Sequence, residues 1–104
     1  MGACVVLTAV ADRRTADRLA RALVTAKLAA CVTVVPGAVS HYRWKRKLEK
    51  SREVLLLIKT ASKTRPELLA FIRRNHPYEL PEVVALPVQF GSKAYLSWLD
   101  TSLK

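Results

Sequence analysis

The segment "EVLLLIKT", residues 53–60, decides the fold of this chain. Its centre, "VLLLI" at residues 54–58, is apolar at every position and predicts a strand. A strand whose sheet has one face in water alternates apolar and polar residues instead. The pattern therefore predicts a sheet that is covered on both faces.

Three further strands are predicted around this one. "ACVVLTAV", residues 3–10, is rich in valine and reads as the first strand. "ACVTVVPG", residues 30–37, is the second, ended or bent by its Pro-Gly pair, and extended residues continue through "AVSHYRW" at 38–44. "KRKLEKSRE" then forms a polar connection or the tip of a long hairpin. "EVVALPVQF", residues 82–90, is the fourth strand, and Pro87 indicates an edge position or a bulge.

Helical spacing appears in the segments between these strands. Apolar residues recur at that spacing from Ala16 to Leu28, with Asp12 as the expected N-cap. "TRPE", residues 64–67, has the form of a capping box, and Pro77 should end that helix near Asn75. "SKAYLSWLDTSL", residues 92–103, predicts a short last helix capped by its serine.

The order β-α-β-β-α-β plus a C-terminal helix is that of an α+β, ferredoxin-like sandwich, a single domain over residues 1–104. Right-handed crossovers put both main helices on one face of one antiparallel sheet. The other face is also apolar, and leaving it wet would expose more apolar surface than soluble monomers usually show. We therefore expect a homo-oligomer, with Val39, Tyr42 and Trp44 on the long hairpin as anchors.

Composition and charge narrow the class of protein. The chain has 104 residues, is 51% hydrophobic and carries a formal charge of +10. Its two cysteines lie in apolar segments, which favours buried, reduced thiols. The first apolar segment is too short and wrongly flanked for a signal peptide, and none is long enough to span a bilayer. These features predict a cytoplasmic protein with no membrane partner.

The basic hairpin raises a nucleic-acid alternative. Its charges lie between Arg43 and Arg52 and suit a phosphate track on a four-stranded sheet. RNA-recognition domains carry stacking rings on a central strand, however, and "VLLLIKT" has none. A solvated basic hairpin is the preferred interpretation, and nucleic acid is not the expected partner.

Polar chemistry concentrates in "NHPYELPEVVALPV", residues 75–88. His76 is either a metal ligand or proton carrier, or a residue that satisfies the last carbonyls of a helix. Glu79 and Glu82 reverse the local charge, as expected of a cation site, but also fit solvated loop charges. Tyr78 lies between His76 and these acids.

Signatures of catalysis are missing. The sequence has no G-x-S-x-G, no P-loop and no H-E-x-x-H motif, so we expect no enzyme. Cys31 paired with His76 as nucleophile and base is discounted, because a thiol in a central apolar segment is usually inert. Lys59, at the end of the third strand, is either an anion ligand or a strand end that reaches water.

The combination of motifs resembles the CutA divalent-cation-tolerance family. The similar pieces are "KLAACVTVVPGAVSHYRWKRKLE", "EVLLLIKT", "HPYELPEVVALPV" and "YLSWL", in the family's order and over nearly the whole chain. The resemblance implies a homotrimer with Trp44 in its packing and ligand clefts between subunits, near Lys59, Tyr78, Glu79 and Glu82.

The resemblance also implies a role in tolerance to divalent metals, copper in particular, with His76 as a metal residue. Some members carry a second histidine and a cysteine where this chain has Asn75 and Thr8. We therefore expect no required cofactor, and at most weak binding of copper(II) or another divalent cation at His76, Glu79 and Glu82.

Overall fold

The structure is a computed structural model that describes residues 2–104. Four strands and three helices follow the predicted order. They are β1 (Ala3–Val10), α1 (Arg13–Thr25), β2 (Cys31–Trp44), β3 (Lys47–Ala61), α2 (Arg65–Asn75), β4 (Val84–Pro87) and α3 (Lys93–Thr101). None of the helices within the described residues is long and apolar enough to cross a membrane.

The strands form one antiparallel sheet in the order β2-β3-β1-β4. β3 pairs with β1 along the whole of "VLLLI", from Val6 opposite Ile58 to Val10 opposite Val54. β4 lies at the edge, as Pro87 predicted, and is shorter than the nine residues of "EVVALPVQF". The α+β, ferredoxin-like prediction is confirmed.

The core lies between one face of the sheet and the two main helices. Even-numbered residues of β1 and β3 point to this side, and Leu56 and Ile58 are fully buried. α1 contributes Leu19 and Leu23, while α2 contributes apolar residues from its inner face. α3 packs at the end of the sheet instead, in a smaller cluster of Ala61, Leu99 and Leu103 with Ala3 and Ala30.

The helix boundaries agree with the expected signals in most places. The backbone N–H of Thr15 donates to Asp12 Oδ1 at 2.8 Å, so Asp12 is the N-cap of α1. α2 ends at Asn75, as Pro77 requires. The capping box is wrong: Thr64 occupies the N-cap position, but its side chain makes no cap bond. Its hydroxyl instead pairs with Thr60 Oγ1 at 2.6 Å, because both side chains are buried together.

"KRKLEKSRE" is the tip and return arm of a long hairpin, formed by β2 and β3. Lys45 and Arg46 make the two-residue turn with φ of 50° and 70°, as a tight hairpin turn demands. The register shifts between Val35 and Ala38, where Gly37 adopts a φ of 84°. This bulge adds one residue to β2 and reverses which of its side chains face each side of the sheet.

The second face of the sheet is uncovered in the single chain. Odd-numbered apolar residues of β1 and β3 lie on it and are half-buried, and the edge residues Val84 and Leu86 are 47% and 51% exposed. We call this surface, made by Val5, Leu7, Leu55, Leu57, Val84 and Leu86, the open face. The apolar second face inferred from "VLLLI" is therefore present.

Candidate functional site: an acidic and aromatic cavity beside the hairpin

A cavity of about 580 Å³ lies where the hairpin meets the segment that follows α2. Three carboxylates, two serine hydroxyls and three aromatic rings line it. The lining residues are Ala9, Ser40, Tyr42, Trp44, Ser51, Glu53, Tyr78, Glu79, Leu80 and Glu82. The cavity thus joins side chains of β2 and β3 to residues of "HPYELPE".

The bulge at Gly37 explains why the hairpin offers acids and hydroxyls to the cavity. Beyond it Ala38 pairs with Glu53 and Ser40 with Ser51, so these side chains share the side of the sheet that carries the open face. The other side of the hairpin is basic and exposed. It carries Val39, His41, Arg43, Leu48, Lys50 and Arg52. The hairpin therefore carries its acids on one face and most of its basic strand residues on the other.

The carboxylate of Glu53 is held in place within the cavity by two hydrogen bonds. Ser40 Oγ donates to Glu53 Oε1 at 2.6 Å, and the Tyr78 hydroxyl donates to Glu53 Oε2 at 2.9 Å. A second pair joins the Tyr42 hydroxyl to Ser51 Oγ at 2.8 Å. A carboxylate offers about four acceptor positions, so Glu53 retains acceptor capacity toward the cavity.

Tyr78 is held in its neutral form by its surroundings. Burial, followed by the hydrogen bond to Glu53, raises the pKa of the phenol from 10.0 to about 12. The hydroxyl therefore stays a donor to the carboxylate throughout the physiological range.

His76 ends α2 and ties it to β1. Its Nε2 donates to the Ala9 carbonyl oxygen at 2.8 Å, and the Tyr78 backbone N–H donates to its Nδ1 at 3.1 Å. Because a carbonyl only accepts and an N–H only donates, these partners assign the proton of a neutral ring to Nε2. His76 is only 8% exposed, and its ring meets the Tyr78 ring edge-on with 4.8 Å between the centroids.

Both ring nitrogens of His76, a predicted metal ligand, are already engaged in hydrogen bonds. A metal ion on His76 would have to displace one of the two hydrogen bonds, so coordination there stays a prediction. Glu79 and Glu82 line the same cavity and are exposed. Over residues 2–104, no group of three or more histidine, cysteine or acidic side chains is close enough together to hold a metal ion.

The positions where some family members carry further ligands lie outside the cavity. Asn75 Nδ2 donates to the Phe71 carbonyl oxygen at 2.8 Å, within its own helix. Thr8 is fully buried and points toward the helices. Neither side chain adds a donor to the cavity.

Lys59 does not join this cavity within one chain. Its Nζ donates to Thr33 Oγ1 at 2.5 Å and lies 3.7 Å from Cys31 Sγ. Lys59 lies six positions along β3 from Glu53, or roughly 20 Å at the rise of a strand. A cleft that unites Lys59 with Tyr78, Glu79 and Glu82 therefore stays a prediction about assembled subunits. Both cysteines are free, and Cys31 is half-buried rather than buried.

Glu53 is the site residue that the sequence analysis missed. It precedes "VLLLI" directly and reads as the polar start of a strand. Its signal was the regular alternation of β3, which puts Ser51 and Glu53 on one side and Arg52 on the other. The alternation alone does not show which side chains of β2 lie beside Glu53, because that depends on the bulge in β2.

Comparison with known proteins agrees with the fold and the motifs. The profile of the family described as CutA1 divalent ion tolerance protein matches residues 4–102. A divalent-cation tolerance protein CutA of Yersinia pestis is 48% identical over 101 residues, covering 97% of this chain and 85% of the relative.

Solved structures of the same family share this fold. The divalent cation tolerance protein Cut A1 of Thermus thermophilus superposes with a TM-score of 0.95 at 42% identity, covering 98% of this chain and 99% of that one. CutA of Xylella fastidiosa gives a TM-score of 0.96 at 38% identity, with 100% of both chains covered. None of these relatives supports the nucleic-acid alternative. Since the family profile and the relatives span almost the whole chain, this protein belongs to the CutA1 divalent ion tolerance family.

Proposed function

We propose that this protein serves divalent-cation tolerance as a non-catalytic homotrimer whose cavity carboxylates bind divalent cations weakly. The observation that carries the proposal is the collection of Glu53, Glu79 and Glu82 around one cavity. The chain has only 8 acidic residues against 18 basic ones, so this cavity is a local reversal of charge. Carboxylate oxygens are ligands that hard divalent cations prefer, and copper(II) binds such sites most tightly.

The open face supports the assembly part of the proposal. Half-buried leucines of β1 and β3 and the exposed edge residues form one apolar surface, and a second copy of the chain is the simplest cover for it. Tyr42 and Trp44 lie beside it on the hairpin, where they can also contact a neighbouring subunit. The family relationship supports the same assembly.

His76 has a positioning role in this proposal. By anchoring the end of α2 to the Ala9 carbonyl, it sets the course of the segment that carries Tyr78, Glu79 and Glu82. Binding at the carboxylates then leaves both of its hydrogen bonds intact.

Native mass spectrometry with and without copper(II) tests these claims in one measurement. Wild type should appear as a trimer with added copper, and the double variant Glu79→Gln, Glu82→Gln should lose most of that copper. Glu67→Gln is the matched control, since Glu67 pairs with Lys104 at 3.0 Å on the surface. Loss of copper in His76→Asn alone, with the double variant unaffected, would contradict binding at the carboxylates. A monomer would contradict the assembly.

We also propose a cytoplasmic location. Both cysteines are free, as the reducing cytosol favours. Fractionation of cells that express the tagged protein should recover it with cytoplasmic markers, and recovery with periplasmic markers would overturn this assignment.

A further inference from the structure

We propose that the cavity binds an organic cation, an ammonium ion bearing methyl or methylene groups, between Glu53 and the rings of Tyr42, Trp44 and Tyr78. The inference rests on the proposed function, since it names the class of cation that the same cavity takes. An organic cation requires aromatic walls and one carboxylate. A metal ion requires several oxygen ligands that converge on one point.

The size of the cavity favours an organic ion over a bare metal ion. A volume of about 580 Å³ falls within the range of small-molecule sites. A divalent metal needs several oxygens within roughly 2.0–2.6 Å of one point. The described residues provide no cluster of three metal-binding side chains, here or elsewhere. A larger cation meets the carboxylates and the walls without such convergence.

The walls of the cavity are suited to a carbon-bearing cation. Trp44, Tyr42 and Tyr78 all line it, and aromatic faces attract ammonium groups within about 6 Å of the ring centroid. The chain already makes this contact: Lys45 Nζ lies over the Trp44 ring, 5.7 Å from its centroid. Lys45 is exposed at the tip of the hairpin, so its ammonium is replaceable by a ligand.

The charge of the cavity selects the sign of the ligand. The ion pairs among residues 2–104 are Lys63 with Asp100 and Lys104 with Glu67. The carboxylates of Glu53, Glu79 and Glu82 therefore have no cationic partner within the described chain. Glu53 is held in place by Ser40 and Tyr78, so its charge is presented in a fixed position. An anion would meet three negative groups and be repelled.

Calorimetric titration of the assembled protein in EDTA, with choline as the probe, tests the proposal. Its neutral isostere 3,3-dimethylbutan-1-ol matches choline in shape and should bind at least about tenfold more weakly, because it lacks the attraction to the rings and to Glu53. Glu53→Gln should weaken choline binding by about tenfold, while Glu67→Gln should leave it unchanged.

Lys45→Gln provides a test of opposite sign. It removes the competing ammonium from the Trp44 ring, so choline should bind a few-fold more tightly. If Lys45 had only a structural role, its replacement would not increase the affinity for choline. Native mass spectra of each variant show whether the assembly is intact.

Three results would overturn the inference: no choline binding by assembled wild type, as when a neighbouring subunit fills the cavity; equal binding of the neutral alcohol; or unchanged affinity in Glu53→Gln. The proposed function has a separate readout, the copper mass shift. Choline binding without copper binding would sustain this inference and remove the metal site, and the converse result would do the opposite.

Discussion

His76 connects three parts of the chain through one ring. Its backbone N–H caps α2, its Nε2 holds the Ala9 carbonyl at the end of β1, and its Nδ1 receives the Tyr78 N–H. A buried ring with both nitrogens paired is costly to replace, because each lost bond leaves a buried polar group without a partner. At this scale the histidine is a structural residue of the site.

Replacing His76 with alanine should lower the free energy of unfolding by roughly 2–4 kcal/mol, since two buried hydrogen bonds and the ring's packing are lost. Urea denaturation at one fixed protein concentration measures the change, because assembly contributes to apparent stability. A loss below about 0.5 kcal/mol, typical of an ordinary surface position, would refute the structural role.

Tyr78→Phe should lower the free energy of unfolding by about 1–2 kcal/mol at neutral pH, since a hydrogen bond to a carboxylate is lost. Burial and Glu53 raise the pKa of Tyr78 from 10.0 to about 12, so the folded state favours the neutral phenol. This contribution is fully present below pH 10.0 and is lost as the pH rises through about 12.

The difference between wild type and Tyr78→Phe should therefore shrink across that interval. Unfolding curves at several pH values test the difference, since the two proteins share every other titratable group. Absorbance of tyrosinate gives a second check: one of the three tyrosines should titrate late in wild type and be absent from the variant. A difference that stays constant up to pH 12 would show that the phenol is not held by Glu53.

The hairpin is the element that builds the site. Its bulge at Gly37 turns hydroxyls and Glu53 to one face and leaves Arg43, Lys50 and Arg52 on the other. Its turn at Lys45 and Arg46 places two non-glycine residues in the left-handed region. The left-handed residues of the turn cost backbone energy, and the bulge puts Trp44 on the face of the cavity.

Gly37→Ala should cost about 1–2 kcal/mol of stability through backbone strain alone. Gly37 has a φ of 84°, and an added Cβ would meet no atom within 4 Å, so packing is unaffected. Lys45→Gly is the matched opposite, because it relieves the same strain at a φ of 50° and should stabilise the turn. Thermal unfolding of both variants measures the two changes, and equal signs would contradict the account.

At the scale of the whole molecule, the open face determines the behaviour of the chain in solution. The described chain measures 44 × 25 × 23 Å, with both main helices on one side of the sheet. Leu55 and Leu57 are only half-buried, and Val84 and Leu86 of the edge strand are exposed. A chain with this surface is expected to associate.

Leu57→Glu should dissociate the proposed trimer, because a charge buried in an apolar interface has no partner there. Analytical ultracentrifugation should show a shift to smaller species. Val24→Glu is the control: Val24 is 43% exposed on α1, on the opposite side of the molecule, and its variant should sediment as wild type does. Unchanged assembly in Leu57→Glu would show that the open face is not the contact.

The order of elements, the helix ends at Asp12 and Asn75, and the apolar second face of the sheet could all be predicted from the sequence. These features depend on local preferences and on periodicity, which neighbouring residues carry among themselves. The expected length of β4 was wrong: the strand covers only Val84–Pro87, because its partner β1 begins at Ala3, whose carbonyl oxygen accepts from the Val88 N–H at 3.0 Å.

The candidate site was predictable only in part. "HPYELPE" pointed to Tyr78, Glu79 and Glu82, since their chemistry is unusual for a turn. Glu53 and the helix-to-strand contact of His76 with Ala9 were not predictable, because each joins residues far apart in the sequence. The sequence by itself determined the family, the sheet and the two apolar faces. The tertiary structure alone decided which polar side chains share one cavity, since a one-residue bulge reverses the faces of a strand.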